Sequence, residues 1–78
     1  MIFNRITINP EKMNGQPIIR DLRLTVRRVI ELLAIYSDRE ELLAEFPELE
    51  NEDIRQALAY TATYLEDQIV PFTYEVIA

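Results

Sequence analysis

The sequence has no cysteine, no histidine and no tryptophan, and only one glycine among its 78 residues. Without cysteine the chain forms no disulfide and offers no thiolate, which is compatible with the reducing cytoplasm. Without histidine the usual general base near neutral pH is missing, and without either residue a zinc site is not expected. A single glycine cannot build a glycine-rich phosphate loop. These absences predict a protein that is not an enzyme and that holds no metal or cofactor.

Carboxylates are the abundant reactive group, with 14 aspartates and glutamates in the chain. The pairs Asp38/Glu41 and Glu52/Asp53 have the oxygen ligands that Mg²⁺ prefers, and carboxylates can also exchange protons. Both pairs lie at predicted helix starts, however, where negative charge stabilises the positive end of the helix dipole. We interpret them as helix-terminal charges, so a Mg²⁺-dependent enzyme is not the function that the sequence favours.

Long apolar runs are also missing, and none approaches the ~20 residues that span a bilayer. Residues 1–5 lack the basic and apolar regions of a signal peptide. We therefore expect a cytoplasmic protein with no membrane segment. A chain of 78 residues is expected to form one domain. A core of that size is marginal, and self-association is one way to stabilise it.

The net charge of −6 is unevenly distributed along the chain. Residues 1–28 carry six basic and two acidic side chains, whereas residues 29–78 carry two basic and twelve acidic ones. Four of the basic groups fall within nine residues: Arg20, Arg23, Arg27 and Arg28. We predict that these four would make any nucleic-acid contacts, because a positive face attracts an anionic partner. The alternative is that they pair with the acidic helices or with a second subunit.

The periodicity of apolar residues predicts a single α+β domain, mainly α, over residues 1–78. It consists of a β arm (1–25), a three-helix core (26–69) and an extended tail (70–78). In the arm, alternating residues predict short strands, and Asn14-Gly15 predicts a tight hairpin turn. A second alternating run follows from Leu22 to Arg27, immediately before the helical spacing begins.

Residues typical of helix N-termini predict where the three helices begin: Thr25, Ser37 and Asn51. The third helix is expected to bury a stripe that includes Ile54, Leu58, Leu65 and Ile69. The second and third helices have the lengths of a helix-turn-helix. The third helix opens with three acidic residues between positions 50 and 53, however, so we do not expect it to enter a DNA groove.

The first helix is apolar over much of its circumference. Leu32 and Ile35 lie beside the main stripe, which runs from Val26 to Leu33. A helix of this kind needs two contacts, one with its own core and one with another surface. We therefore predict a homodimer that forms through Leu32, Ile35 and the β arm.

The tail after the third helix alternates like one face of a strand. Its apolar residues are Val70, Phe72, Tyr74 and Val76. An exposed strand of this kind can add to the sheet edge of a partner protein, and we predict these four residues as the partner contacts. The alternative is that the tail folds back onto the N-terminal strand of its own chain or of a dimer mate.

A series of short motifs resembles the prokaryotic family called domain of unknown function 433, over roughly residues 6–64. The family pattern is D-P-x-x-x-x-G-x-P-x-I-x-G-T-R, an apolar helix, then Y-P-x-L-x-x-x-D-I and A-L-x-Y. The matching segments are Asn9-Pro10, Gly15-Gln16-Pro17-Ile18-Ile19, Arg23-Leu24-Thr25-Val26, Phe46-Pro47-Glu48-Leu49, Asp53-Ile54 and Ala57-Leu58-Ala59-Tyr60. Two positions depart from the pattern: Asp21-Leu22 stands where the family has Gly-Thr, and the glycine usual before the second helix is replaced near Tyr36.

Members of this family are similar to antitoxins of the VapB type, which are encoded beside small PIN-like ribonuclease toxins. The resemblance implies a β arm, a helix-turn-helix-like core and a dimer. It also implies binding to a toxin and, as a further role, to the operator of its own gene. The function expected from the sequence is therefore an antitoxin-like module. The alternative is a DNA-binding regulator with no toxin partner.

Overall fold

The computed structural model describes residues 3–65 as a short β-hairpin packed against three helices. The elements are β1 (Ile6–Ile8), β2 (Pro17–Ile19), α1 (Val26–Ile35), α2 (Arg39–Glu45) and α3 (Asn51–Ala62). The predicted α+β architecture, mainly α with an N-terminal hairpin, is confirmed. The predicted tail (70–78) and Ile69 lie outside the described residues.

The hairpin pairs β1 and β2 in antiparallel register, with Ile6 opposite Ile19 and Ile8 opposite Pro17. Asn14 (φ 58°) and Gly15 (φ 76°) adopt the left-handed conformation that their dipeptide favours. They do so within a single turn of 3-10 helix inside a longer connection over residues 9–16, rather than as a two-residue hairpin turn. The predicted tight turn is therefore wrong, because strand pairing stops at Ile8 and Pro17 on either side of this connection.

A second turn, at Arg20 and Asp21, precedes the alternating run predicted for residues 22–27. Within that run Thr25 forms an isolated bridge with Ile18, and Val26 and Arg27 already belong to α1. Arg20 and Asp21 both have positive φ, 45° and 62°, and the chain reverses so that the Ile19 N–H donates to the Leu24 carbonyl at 3.0 Å. Asp21 stands at the family's glycine position. An aspartate tolerates this conformation better than most residues, and the Lys12 ammonium holds the Asp21 carboxylate at 3.1 Å.

The core lies between α1 and the elements that surround it. Helix α1 contacts α2, α3 and β2, and α3 also contacts β1. The buried apolar side chains are Ile18, Ile19, Val26, Val29, Leu32, Leu42, Leu49, Ile54 and Ala57. The core therefore joins the arm and all three helices into one packed unit.

The helix starts follow from local capping. Thr25 caps α1 as predicted, since its Oγ1 accepts the Arg28 N–H at 3.0 Å. Helix α2 is capped one residue later than predicted: Asp38, not Ser37, accepts the Glu40 N–H at 2.9 Å. Helix α3 begins at Asn51 with Glu50 as its N-cap residue, so the predicted cap is also displaced by one residue.

Helix α3 is rotated relative to its predicted orientation. Leu58 and Leu65 are 44% and 71% exposed, whereas Asp53 and Gln56 are buried beside Ile54. The polar residues are turned inward because the arm supplies their hydrogen bonds. Thus Gln56 Oε1 accepts the Arg5 backbone N–H at 3.0 Å. The predicted stripe is therefore right at Ile54 and wrong at Leu58 and Leu65, and Leu65 lies beyond the end of α3 at Ala62.

Candidate functional site

The four arginines predicted to bind nucleic acid separate into two groups. Arg20 turns towards α3, where its Nε donates to Asp53 Oδ1 at 3.0 Å and its Nη2 donates to Asp53 Oδ2 at 2.8 Å. The same guanidinium donates to the Glu48 carbonyl. The left-handed turn at residues 20–21 therefore directs Arg20 towards a buried carboxylate, where it links the arm to α3, and its role as a nucleic-acid contact stays a prediction.

Asp53 is the centre of this ion cluster, and its side chain is fully buried. Besides Arg20, it accepts a hydrogen bond from Arg5 Nη1 at 3.2 Å and one from the Glu50 backbone N–H at 2.9 Å. Burial by itself would raise the pKa of Asp53, but the hydrogen bonds from Arg20, Glu50 and Arg5 outweigh it and lower that pKa below its ordinary value.

Glu52 and Asp53, which the sequence indicates are helix-terminal charges rather than a Mg²⁺ site, bind different partners. The Glu52 carboxylate accepts hydrogen bonds from Arg55 Nε at 2.8 Å and from Gln56 Nε2 at 2.8 Å. These contacts lower the pKa of Glu52 to about 2. Among residues 3–65, no group of three or more histidine, cysteine, aspartate or glutamate side chains is placed to hold a metal ion.

The other three arginines come together at the start of α1. Arg23, Arg27 and Arg28 are exposed and line one shallow hollow of about 280 Å³. Within α1, Glu31 lies 3.6 Å from Arg27 Nε and 3.3 Å from Arg28 Nη1. Three positive charges facing one carboxylate leave an excess of positive charge on this surface, which we call the arginine hollow.

A largely apolar groove adjoins the arginine hollow and runs between α1 and the end of α3. Its volume is about 670 Å³. Its apolar walls come from α1 (Val26, Ile30 and Ala34), from Tyr60 in α3 and from Tyr64, which lies just beyond the end of α3. The two tyrosine hydroxyls lie 3.0 Å apart, and this hydrogen bond raises the pKa of Tyr60. Sequence reasoning missed this groove, which we call the α1–α3 groove, because it depends on how two distant helices cross.

Negative charge predominates on α2 and on the turn after it. Glu40, Glu41, Glu45 and Glu48 are all exposed there. All eight basic side chains of the sequence lie within residues 3–65, and within that range none of them forms a salt bridge to these four glutamates. We call this surface the acidic face.

The acidic face contains a hollow of about 560 Å³ that is lined by Tyr36, Glu41, Ala44 and Glu45. The Tyr36 ring is held edge-on against Phe46, with the ring centroids 6.3 Å apart. Tyr36 lines the same hollow as the carboxylates of Glu41 and Glu45, and an aromatic ring and carboxylates both attract cations. This geometry suits an arginine or lysine side chain from a partner.

The two residues predicted to form the dimer, Leu32 and Ile35, differ in their exposure to solvent. Leu32 is only 1% exposed and packs within the core of its own chain, so its assignment to a dimer surface is wrong. The reason is that α2 and α3 both pack on α1, and the buried sector of α1 is wider than one stripe. Ile35 is 64% exposed and remains a predicted contact. The tail residues predicted to bind a partner, Val70, Phe72, Tyr74 and Val76, lie outside the described residues.

No helix in the described part of the chain is long and apolar enough to cross a membrane.

A three-helix core with an N-terminal hairpin defines a small protein of the α+β class, mainly α. Residues 6–61 match the family described as protein of unknown function, DUF433, and since this is well over half of the chain, the protein belongs to that family. The resemblance seen in the sequence motifs is thereby confirmed. No curated protein and no solved structure matches the chain.

Proposed function

We propose that this protein is an antitoxin-like binding module that neutralises a PIN-like ribonuclease toxin in the cytoplasm. The observation that supports the proposal is the acidic face with its hollow beside Tyr36. Glu41 and Glu45 are not used in salt bridges within residues 3–65, although the chain has basic side chains elsewhere.

A ribonuclease is the kind of partner that this face complements. Its substrate is a polyanion, so its substrate-binding surface must carry basic side chains. An acidic partner covers that surface by charge complementarity, which accelerates association and excludes the substrate. The hollow beside Tyr36 adds a specific position for one basic side chain, because carboxylate and aromatic contacts act on the same cation.

The first test is the gene neighbourhood, since the proposal requires a PIN-like open reading frame beside this gene. The second is inhibition of that ribonuclease by the purified protein, with the dissociation constant measured at low and high salt. We expect Glu41→Gln together with Glu45→Gln to weaken binding about tenfold, or about 1.4 kcal/mol. We also expect salt to weaken the wild-type complex more than the variant complex.

Glu11→Gln is the matched control, because Glu11 is an exposed carboxylate in the connection between β1 and β2. It should leave inhibition unchanged. Full inhibition by the double variant, or equal losses in the control and the double variant, would mean that the acidic face is not the toxin-binding surface.

A second candidate function is DNA binding by a regulator, and the arginine hollow is the observation that favours it. Arg23, Arg27 and Arg28 present convergent cations, and guanidinium groups bind phosphates well. Helix α3, by contrast, opens with Glu52 and Asp53, and Arg55 in its first turns is engaged by Glu52.

Fluorescence anisotropy with DNA from upstream of the gene tests this second function. Arg23→Ala should weaken binding and lower the slope of log K against log salt by about 0.9, the value for one phosphate contact. Arg55→Ala is the control and should have no effect. Loss of binding in Arg55→Ala alone would place the contact on α3 instead.

A further inference from the structure

The solvent-facing side of α1 changes in character along its length. Arg28, Glu31 and Ile35 are exposed, and their spacing of three and four residues places them on one stripe of the helix. The stripe begins in the arginine hollow, which Arg28 and Glu31 both line. It ends at Ile35, a large apolar side chain that is 64% exposed. Within residues 3–65, this side of α1 is therefore open to another molecule.

The surface beyond Ile35 carries the opposite charge. The hollow of the acidic face begins at the next residue, and we call it the acidic hollow: Tyr36, Glu41, Ala44 and Glu45. Neither of its glutamates forms a salt bridge within the described part of the chain. On the other side of Ile35, Arg28 lies seven residues earlier, about 10 Å along the helix axis. The exposed isoleucine thus stands between a cationic surface and an anionic one.

This order of charges is self-complementary when two copies of α1 meet in antiparallel orientation. With Ile35 of each copy at a twofold axis, the surface before Ile35 in one copy lies against the surface after Ile35 in the other. Arg28 of each copy then faces the acidic hollow of the other, and the twofold axis makes this contact twice. A parallel arrangement would instead place like charges against each other, which is unfavourable.

Arg28 can change its ion-pair partner at little cost. Its Nη1 lies 3.3 Å from Glu31 Oε1, but both side chains are nearly half exposed, and exposed pairs of this kind contribute little to stability. Glu31 also keeps a second cation, since Arg27 Nε lies 3.6 Å from its other oxygen. The acidic hollow offers a guanidinium two carboxylates and an aromatic ring, which together bind it better than one exposed carboxylate does.

We propose that two copies of this chain pair through antiparallel α1 helices, with Arg28 of each copy in the acidic hollow of the other. This pair differs from the dimer predicted from the sequence, because Leu32 and the β arm take no part. One helix and its two ends form a small interface, so the dissociation constant should be about 10–100 µM.

Self-association covers the surface to which we assign ribonuclease binding, so pairing and inhibition would compete for the acidic hollow. This consequence alone rests on the proposed function. The pairing itself involves only residues of this chain. Its test needs no ribonuclease, and a failure of the pairing is therefore distinguishable from a failure of the proposed function.

Charge reversal in two complementary variants tests the pairing in the full chain. Arg28→Glu reverses the cationic end, and Glu41→Arg with Glu45→Arg reverses the acidic hollow. Each variant alone should dimerise at least about tenfold more weakly than the wild-type chain in sedimentation equilibrium, since both contacts become repulsive. An equimolar mixture of the two variants should recover dimers, because each of its two contacts again joins opposite charges.

Arg55→Glu is the matched control for Arg28→Glu, since Arg55 is an exposed arginine of α3 and the change of charge is the same. It should dimerise as the wild-type chain does, and it should form at least about tenfold fewer dimers with a fluorescently labelled hollow variant than Arg28→Glu forms. Circular dichroism checks that each variant is folded, and Glu45→Arg alone replaces the double variant if that chain does not fold.

Three results would overturn the proposal. The first is a wild-type chain that stays monomeric at about 1 mM, well above the expected dissociation constant. The second is a mixture of the two variants that recovers no dimers. The third is the formation of species larger than dimers, which would show head-to-tail association in place of a twofold pair.

The absence of cysteine allows a second, independent measurement. Ile35→Cys places a thiol beside its own copy at the twofold axis. Under mild oxidation it should form a covalent dimer at least about tenfold faster than Leu58→Cys, the control at an exposed leucine of α3. Equal rates for the two variants would refute the antiparallel pairing of α1.

Discussion

The ion cluster at Asp53 should be a principal determinant of stability, and Asp53→Asn is the change that tests it. The substitution keeps the size of the side chain but removes its charge. It also places an NH₂ group where one oxygen now accepts hydrogen bonds. Arg20 and Arg5 would then lose their common partner, and the arm would lose its charged link to α3.

The expected cost follows from the burial of the cluster. Removing one member of a buried ion pair costs about 3–5 kcal/mol. The Arg5 and Arg20 side chains are 28% and 34% exposed, however, so both can recover part of their solvation. We therefore expect Asp53→Asn to lower the free energy of unfolding by about 2–3 kcal/mol. A domain of 78 residues has a total of about 4–12 kcal/mol at roughly 0.05–0.15 kcal/mol per residue.

Urea unfolding followed by far-ultraviolet circular dichroism measures this difference without a tryptophan. Glu52→Gln is the matched control, since Glu52 is the neighbouring carboxylate but its side chain is 37% exposed; we expect it to lower stability much less than Asp53→Asn does. Arg20→Ala should cost at least about 1 kcal/mol more in the wild-type chain than in the Asp53→Asn background. Equal effects of Asp53→Asn and Glu52→Gln, or strict additivity with Arg20→Ala, would refute the reasoning.

Four further predictions concern pH and α1. The pKa of Asp53 is lowered from its unfolded value of 3.8, so Asp53 contributes its full stabilisation above pH 3.8 and loses it as pH falls through the folded pKa. When the free energy of unfolding is measured against pH, Asp53→Asn should therefore lose less stability in acid than the wild-type chain. The pKa of Glu52 is lowered from 4.5 to about 2, so Glu52 should also lose its stabilising effect as pH falls through that range. Glu52→Gln should therefore make the free energy of unfolding less dependent on pH between these two values. Leu32→Ala should destabilise the monomer by about 2–5 kcal/mol in urea unfolding, whereas a dimer-only role would leave monomer stability unchanged. Ile35→Glu should keep the fold and reduce any dimer seen by sedimentation at micromolar concentration, and an unchanged dimer would remove Ile35 from the interface.

Local interactions explain which parts of the fold could be predicted from the sequence. Thr25 caps α1 because a side-chain oxygen beside the first turn accepts an amide of that turn. For α2 the sequence predicted the correct region for the helix start but the wrong cap residue. Ser37 was expected, whereas the carboxylate of the adjacent Asp38 accepts the Glu40 N–H. Asn14-Gly15 took its predicted positive φ angles, yet the length of the connection depends on where the two strands stop pairing.

Composition and short-range pattern thus determined the class of protein: a small α+β chain with no cysteine or histidine chemistry, an N-terminal hairpin and three helices. Only the tertiary structure decided which charged side chains form ion pairs inside the fold. Arg20 is bound by buried Asp53, 33 residues away, while Arg23, Arg27 and Arg28 remain at the surface. It also decided that Leu32 is core and that Leu58 is exposed, because the arm's hydrogen bonds to Gln56 set the rotation of α3. Such choices depend on contacts between residues distant in sequence, which no local periodicity encodes.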